Sequence, residues 1–265
     1  MEKLKRLQSG IEGLDALLKG GLVAGASYII QGRPGSGKTI LANQLGFHHA
    51  NNGGRVLVAT LLAESHDRLF QFLSTLSFFD ASKVGADIQF VSAFDTLENE
   101  GLDEVVKLLR REISRQKATV MVVDGLLNAR SKADSHIDTK KFISELQGHA
   151  AFAGCTVLFL TSSRLDDGSP EHTMVDGVIE MGEELFGTRS VRRIQLRKTR
   201  GSGALTGLHE CEITDNGLVV YPRLESLYSH PSAPDSADMT RIASGIGSLD
   251  GILGGGLYSS SVSLV

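Results

Sequence analysis

Gly32-Arg33-Pro34-Gly35-Ser36-Gly37-Lys38-Thr39 satisfies every constant of the pattern G-x-x-x-x-G-K-[ST], and the sequence on either side supplies the context that pattern requires. Residues 26–30 form a short apolar run that reads as a buried strand. Residues 38–51 carry Ile40, Leu41, Leu45 and Phe47 and end at Asn51-Asn52-Gly53-Gly54, the profile of a helix with its stop signal. A strand, a glycine-rich loop and a helix in that order make a P-loop, in which backbone N–H groups and the positive end of the helix dipole surround an anion. In this reading Gly35, Ser36, Gly37, Lys38, Thr39 and Ile40 bind the phosphates of ATP or ADP. Lys38 reaches the β- and γ-phosphates as a catalytic cation, and the Thr39 hydroxyl holds Mg²⁺.

Beyond the loop the chain alternates between strand and helix. Residues 55–62 are continuously apolar, as strands buried on both faces of a parallel sheet are. Leu69, Phe72, Leu73 and Leu76 mark one face of a helix capped at Ser65 or Asp67. Residues 88–91 read as a strand, and Leu102, Val105, Val106, Leu109 and Ile113 as the apolar face of the next helix. Thr119-Val120-Met121-Val122-Val123-Asp124 is an apolar strand ending in a carboxylate, the Walker B pattern, so Asp124 is the second candidate for Mg²⁺. A helix over 139–153 and a strand over 156–161 complete the alternation. Short strands near 177–181, 191–200, 208–213 and 218–221 then read as a C-terminal antiparallel β extension. Such a chain is α/β, with a mostly parallel central sheet flanked by helices and the nucleotide at the carboxyl ends of its strands.

The opening phrase of the chain returns near its end. Aligned at a constant offset of 235, residues 6–30 and 241–265 agree at ten of 25 positions without a gap, among them Arg6/Arg241, Ser9/Ser244, Asp15/Asp250 and Gly21/Gly256. A duplicated domain is the natural reading, with an ATPase domain over 1–226, a Pro/Ser/Asp-rich linker over 227–240 and the start of a second domain over 241–265. Because that copy stops just short of its own glycine-rich loop, the chain is expected to be part of a longer protein. Cys155 and Cys211 stand far apart without metal-ligand companions, so buried free thiols and a reducing cytoplasm are expected. No run of eighteen apolar residues is present, which excludes a membrane span, and a net charge of −4 argues against bulk electrostatic attraction to nucleic acid.

The segments GRPGSGKT, VMVVDG and LRKTRGSGALTGLHECEITDNGLVVYP together resemble the KaiC family of RecA-like ATPases. The resemblance covers residues 6–222, and the repeat at 241 agrees with it. It implies a RecA-like P-loop NTPase fold and a homo-oligomer, since the best known members are hexameric rings of tandem P-loop domains that act as conformational switches for protein partners. It also implies that Lys198-Thr199-Arg200-Gly201 reaches across a subunit interface to the neighbour's γ-phosphate, with Lys198 and Arg200 in catalytic roles and Asp215 near the adenosine. Members of the family carry two adjacent glutamates after the second strand, the first of which activates water. Here Ala63 occupies that place, and Glu64 is the candidate base for a slow hydrolysis.

Two other functions compete with an ATP-driven switch. One is a RecA-type DNA-handling motor, and the other is a nucleotide-binding scaffold that hydrolyses little. In RecA-like rings the loops after the Walker B strand and after the following strand face the channel. Here they hold Arg130 and Lys132 against Asp134 and Asp138, and Arg164 against Asp166, Asp167 and Glu171, with sums of zero and minus two. A channel that tracks phosphates requires the opposite sign and aromatic stacking platforms, so nucleic acid is the second reading for the partner.

Overall fold

The computed structural model describes residues 4–63, 65–126, 136–162, 169–228 and 240–259. The chain divides into two compact units, Met1–Leu227 and Tyr228–Val265.

The first unit is built on a nine-stranded sheet. Its strands are β3 (Ser27–Gln31), β4 (Val56–Thr60), β5 (Ile88–Ser92), β6 (Val120–Asp124), β7 (Thr156–Thr161), β8 (Gly177–Phe186), β9 (Arg189–Thr199), β10 (Leu208–Thr214) and β11 (Gly217–Tyr221). In space they run β11-β10-β9-β8-β3-β7-β6-β4-β5. From β8 to β5 every neighbouring pair is parallel, and from β8 to β11 every pair is antiparallel. The extension expected at the end of the domain therefore begins one strand later than the sequence suggested: β8 is itself parallel to β3 and serves as the pivot. It also runs on to Phe186, past Gly182-Glu183-Glu184, because its outer half pairs only with β9 and leaves both faces to water.

Continuous apolar runs make the parallel strands fit between two cores. Tyr28 and Ile30 of β3, Val56 and Val58 of β4, Val120 and Val122 of β6, and Leu158 and Leu160 of β7 enter one core. Ile29, Leu57, Ala59, Met121, Val123, Val157 and Phe159 enter the other, as the two-residue period of a strand dictates. The first core is covered by α1 (Glu12–Leu17) and α2 (Lys38–Asn51), which supply Leu14, Leu17, Leu41 and Leu45. The second is covered by α4 (Phe94–Glu100), α5 (Leu102–Gln116) and α6 (His136–Phe152). Burying each of these leucines contributes about 1.5–3 kcal/mol relative to exposure. α1 lies directly on β11, where a Cβ at Gly13 would stand 1.8 Å from the Val220 carbonyl oxygen.

α3 (His66–Leu73) departs from its expected pattern. Ser65 caps it, accepting from the Arg68 N–H at 3.4 Å, but the helix ends before Leu76 and leaves Phe72 59% exposed. A short helix that shows no apolar periodicity, α7 (Pro170–Met174), precedes β8, and α8 (Leu224–Leu227) closes the unit. The thiols are unpaired and buried, and burial pushes Cys155 to about 12 and Cys211 to about 11. Among the described residues no helix is long and apolar enough to cross a membrane.

The second unit repeats the start of the first. Strands β1 (Arg6–Leu7) and β2 (Leu22–Val23) flank α1, and β12 (Arg241–Ile242) and β13 (Leu257–Tyr258) flank α9 (Gly247–Ile252) in the same way. Asp15 Oδ1 accepts from the Ser9 N–H at 2.8 Å and its hydroxyl at 2.7 Å; Asp250 Oδ1 accepts from Ser244 at 2.7 and 2.6 Å. Arg6 donates to the carbonyls of Leu18 and Gly21, and Arg241 to those of Leu253 and Gly256. Burial separates the copies: Leu14 is fully buried, whereas its counterpart Leu249 is 40% exposed and Ile252 is 82% exposed.

Candidate functional site

The glycine-rich loop leaves β3 at Gln31 and enters α2 at Lys38. Gly35 and Gly37 take φ of +81° and +99°, the left-handed region that an L side chain strains to adopt. A Cβ at Gly37 would also stand 2.9 Å from the Ile213 side chain of β10, so the β10–β11 turn is packed against the loop. Gly35 faces open space. The Lys38 ammonium donates to the carbonyls of Gly32 and Arg33, both at 2.9 Å, and lies 3.5 Å from the Ser36 hydroxyl. Burial pushes its pKa below the ordinary lysine value, against the pull of the Asp124 carboxylate.

Strand register gathers the other groups at the same edge. Gln31 is level with Thr161, Thr60 with Asp124, and Asp124 with Leu160. The Thr39 hydroxyl thus donates to Asp124 Oδ2 at 3.2 Å across 85 residues of sequence. A cavity of about 210 Å³ opens here, lined by Gly35, Lys38, Thr39, Thr60, Ser65, His66, Leu69 and Asp124 among others. A hydroxyl and a carboxylate are hard oxygen donors, and Mg²⁺ characteristically takes one or two such protein ligands together with substrate phosphates. The residues present fit that ion, and the positive-φ Gly35, beside open space, fits a phosphate chain. Ile40 lies half-buried in the first turn of α2 and does not line the cavity.

Lys198, Thr199, Arg200 and Gly201 stand elsewhere. Val178 is level with Lys198 and Gly177 with Thr199, while Tyr28 is level with Gly177, so these residues flank the amino end of β3. At about 3.3 Å per residue the length of β3 alone separates them from the P-loop by roughly 15 Å. Lys198 Nζ donates to the carbonyls of His172, Thr173 and Val175 at 2.7, 3.2 and 2.6 Å and so caps the C-terminal end of α7. Burial lowers its pKa, with Arg200 acting in the same direction and Asp176 against it. Arg200 donates to the Thr173 carbonyl at 3.0 Å and pairs with Asp176 at 3.6 Å. Thr199 donates to the Ser202 carbonyl, and the Gly201 carbonyl accepts from Arg6. Asp215 is exposed in the β10–β11 turn, where its carbonyl accepts from the Ser77 N–H at 2.8 Å, two residues from the Ile213 that touches Gly37. Within one chain the P-loop, Thr39 and Asp124 are brought together, and the Lys198–Gly201 segment is not.

Glu64 lies outside the described residues, as do Arg130, Lys132, Asp134, Arg164, Asp166 and Asp167. Glu171, expected among the acids of a channel loop, is instead buried in the first turn of α7. Sequence pattern did not reveal Thr60 and His66, which also line the cavity, or the buried pair Gln31 and His172, joined at 2.7 Å just ahead of the loop. The strand position of Thr60, level with Asp124, was the one signal available for the first of these.

The sequence profile of the family described as "ATPase: KaiC" matches residues 7–225. The Circadian clock oscillator protein KaiC of Picosynechococcus sp. is 24% identical over 274 residues, which cover 98% of this chain and 52% of that protein. KaiC 1 of Synechocystis sp. is 24% identical over 280 residues, with coverage of 98% and 52%. The chain thus spans about half the length of the curated relatives it matches. Among solved structures, a KaiC-like protein from the hyperthermophilic archaeon Pyrococcus horikoshii OT3 matches with a TM-score of 0.73 at 24% identity, over 83% of this chain and 100% of its own. At that identity the likeness establishes the fold: an α/β domain with a large, mostly parallel sheet of the RecA-like type.

Proposed function

The chain belongs to the KaiC family of ATPases, and from that premise we propose that it binds Mg-ATP and Mg-ADP in the loop of residues 32–39 and hydrolyses ATP slowly. The observation that carries this reading is the 3.2 Å contact between the Thr39 hydroxyl and the Asp124 carboxylate beside a glycine loop open at Gly35. Gly35, Ser36 and Gly37 would face the phosphates, with Lys38 released from the Gly32 and Arg33 carbonyls to meet them. Thr39 and Asp124 would hold Mg²⁺, which when bound neutralises charge on the β- and γ-phosphates.

The site is completed by a second copy of the chain. Lys198 and Arg200 lie at the far end of β3 from their own P-loop, so a role for them at a γ-phosphate requires a neighbour's nucleotide. A ring of such copies, hexameric as in the family's best known members, would present nucleotide-dependent interfaces to a protein partner in the cytoplasm. Light scattering with and without Mg-ATP, together with calorimetry of ATP binding, tests this. A nucleotide-dependent oligomer is expected, and a monomer that takes up no ATP would refute the reading.

A further inference from the structure

Among the residues that line the cavity is a threonine–histidine pair to which ATP binding assigns no role. Thr60 ends β4 level with Asp124, and its hydroxyl lies 3.1 Å from His66 Nε2 at the start of α3. The His66 ring is held against Phe90 and Phe70, with centroids 5.7 and 6.3 Å away, so the contact with Thr60 is geometrically fixed. Three described residues that line the cavity titrate: Lys38, Asp124 and His66. The first is a cation, and the second has an oxygen engaged by Thr39 and is assigned to Mg²⁺. The imidazole carries the proton-accepting nitrogen that meets the Thr60 hydroxyl at this edge.

We propose that His66, acting through the Thr60 hydroxyl, takes the proton of the water that attacks ATP, an inference that rests on the proposed binding of ATP at the P-loop. With the imidazole proton on Nδ1, Nε2 accepts from the Thr60 hydroxyl. As the water oxygen bonds to the γ-phosphorus, the bond from that phosphorus to the β–γ bridging oxygen breaks and its electron pair leaves on ADP. One water proton passes to the Thr60 oxygen while the Thr60 proton passes to Nε2. The products are ADP, phosphate and an imidazolium, which returns its proton to solvent. Burial favours the neutral ring that this step needs, opposed by the neighbouring Asp67 carboxylate.

The test uses the full chain with Mg-ATP, measuring phosphate release and, by calorimetry, ATP affinity. His66→Gln keeps a hydrogen bond to Thr60 and cannot accept the proton, Thr60→Val removes the hydroxyl at nearly constant shape, and Thr60→Ser restores it. The first two are each expected to lower turnover ~100-fold or more, the lower range for a lost general base, while ATP affinity stays within a few-fold. Thr60→Ser is expected to keep most of the turnover, and the double variant His66→Gln/Thr60→Val to be no slower than either single one, because both remove the same relay. Turnover in His66→Gln equal to wild type, or lost in Glu64→Gln alone, would overturn the inference. So would a wild type that binds ATP and releases no phosphate. Failure of the wild type to bind ATP would instead refute the binding reading on which it rests.

Discussion

The two ends of β3 carry similar polar groups and use them in opposite ways. At the carboxyl end the chain turns through positive-φ glycines into α2, and Lys38, Thr39 and Asp124 border an open cavity. At the amino end Asp176 Oδ2 accepts from the Ser27 N–H and hydroxyl at 3.0 and 3.1 Å and its Oδ1 pairs with Arg200, while Lys198 is fixed by three carbonyls of the α7 end. One end leaves backbone donors turned toward a ligand, and the other closes its polar groups on one another. A parallel sheet imposes this asymmetry, because all its strands present helix N-termini, and so anion sites, at the same edge.

The largest effect is expected where the two ends would meet between copies. Arg200→Ala should lower ATP turnover by ~10³-fold, the lower range for an arginine supplied in trans, with ATP affinity within a few-fold of wild type. Mixing Arg200→Ala with Lys38→Ala should restore part of the activity, since one interface then pairs an intact P-loop with an intact Arg200. Absence of rescue, together with a monomeric mass under every nucleotide condition, would mean that the amino end of β3 has no part in the chemistry.

Lys38→Ala addresses the carboxyl end alone. Losing a charge-assisted contact to phosphate should weaken Mg-ATP binding ~10–100-fold, measured by calorimetry. The unfolding midpoint should stay close to wild type, because the buried ammonium that is removed already has a lowered pKa. Asp176→Asn is the matching change at the amino end. It weakens the charge-assisted bonds from Ser27 and the pairing with Arg200, and should lower stability by ~1–3 kcal/mol in thermal unfolding while leaving ATP affinity unchanged. An Asp176→Asn protein that loses ATP affinity would break the distinction between a binding end and a holding end.

The carboxyl end was legible because its geometry is written at fixed spacing: glycines where φ is positive, a lysine and threonine at the helix start, and a carboxylate closing an apolar strand. The repeated opening was legible for a similar reason, since Ser9–Asp15 and Ser244–Asp250 make the same local bonds whether their helix is buried or exposed. What the spacing did not carry was tertiary. Phe72 has the period of a core residue, but α3 ends one residue later and leaves it in water. Glu171 has the composition of a loop acid, yet α7, only five residues long, buries it. His66 belongs to no pattern at all; only the register of β4 on β6 brings Thr60, and with it the imidazole, to the edge where Thr39 meets Asp124.

The smallest expected effect concerns a histidine at each end. His49, near the C-terminal end of α2, lies at the amino edge of the sheet, its Nε2 2.7 Å from the Thr119 hydroxyl. Burial lowers its pKa below 6.5, with His48 and Lys5 acting in the same direction. Burial likewise lowers His66 at the carboxyl edge. A folded-state pKa below the unfolded one means that the unfolded chain binds more protons in the window between them, so stability is full above the unfolded value and falls as pH drops below about 6.5. His49→Gln keeps a partner for Thr119 and removes the titration. The difference in unfolding midpoint between about pH 7.5 and about pH 5.5 should therefore shrink in His49→Gln, and shrink again when His66→Gln is added. An unchanged difference in His49→Gln that disappears with His66→Gln would place the acid sensitivity of the fold entirely at the end where the nucleotide is proposed to bind.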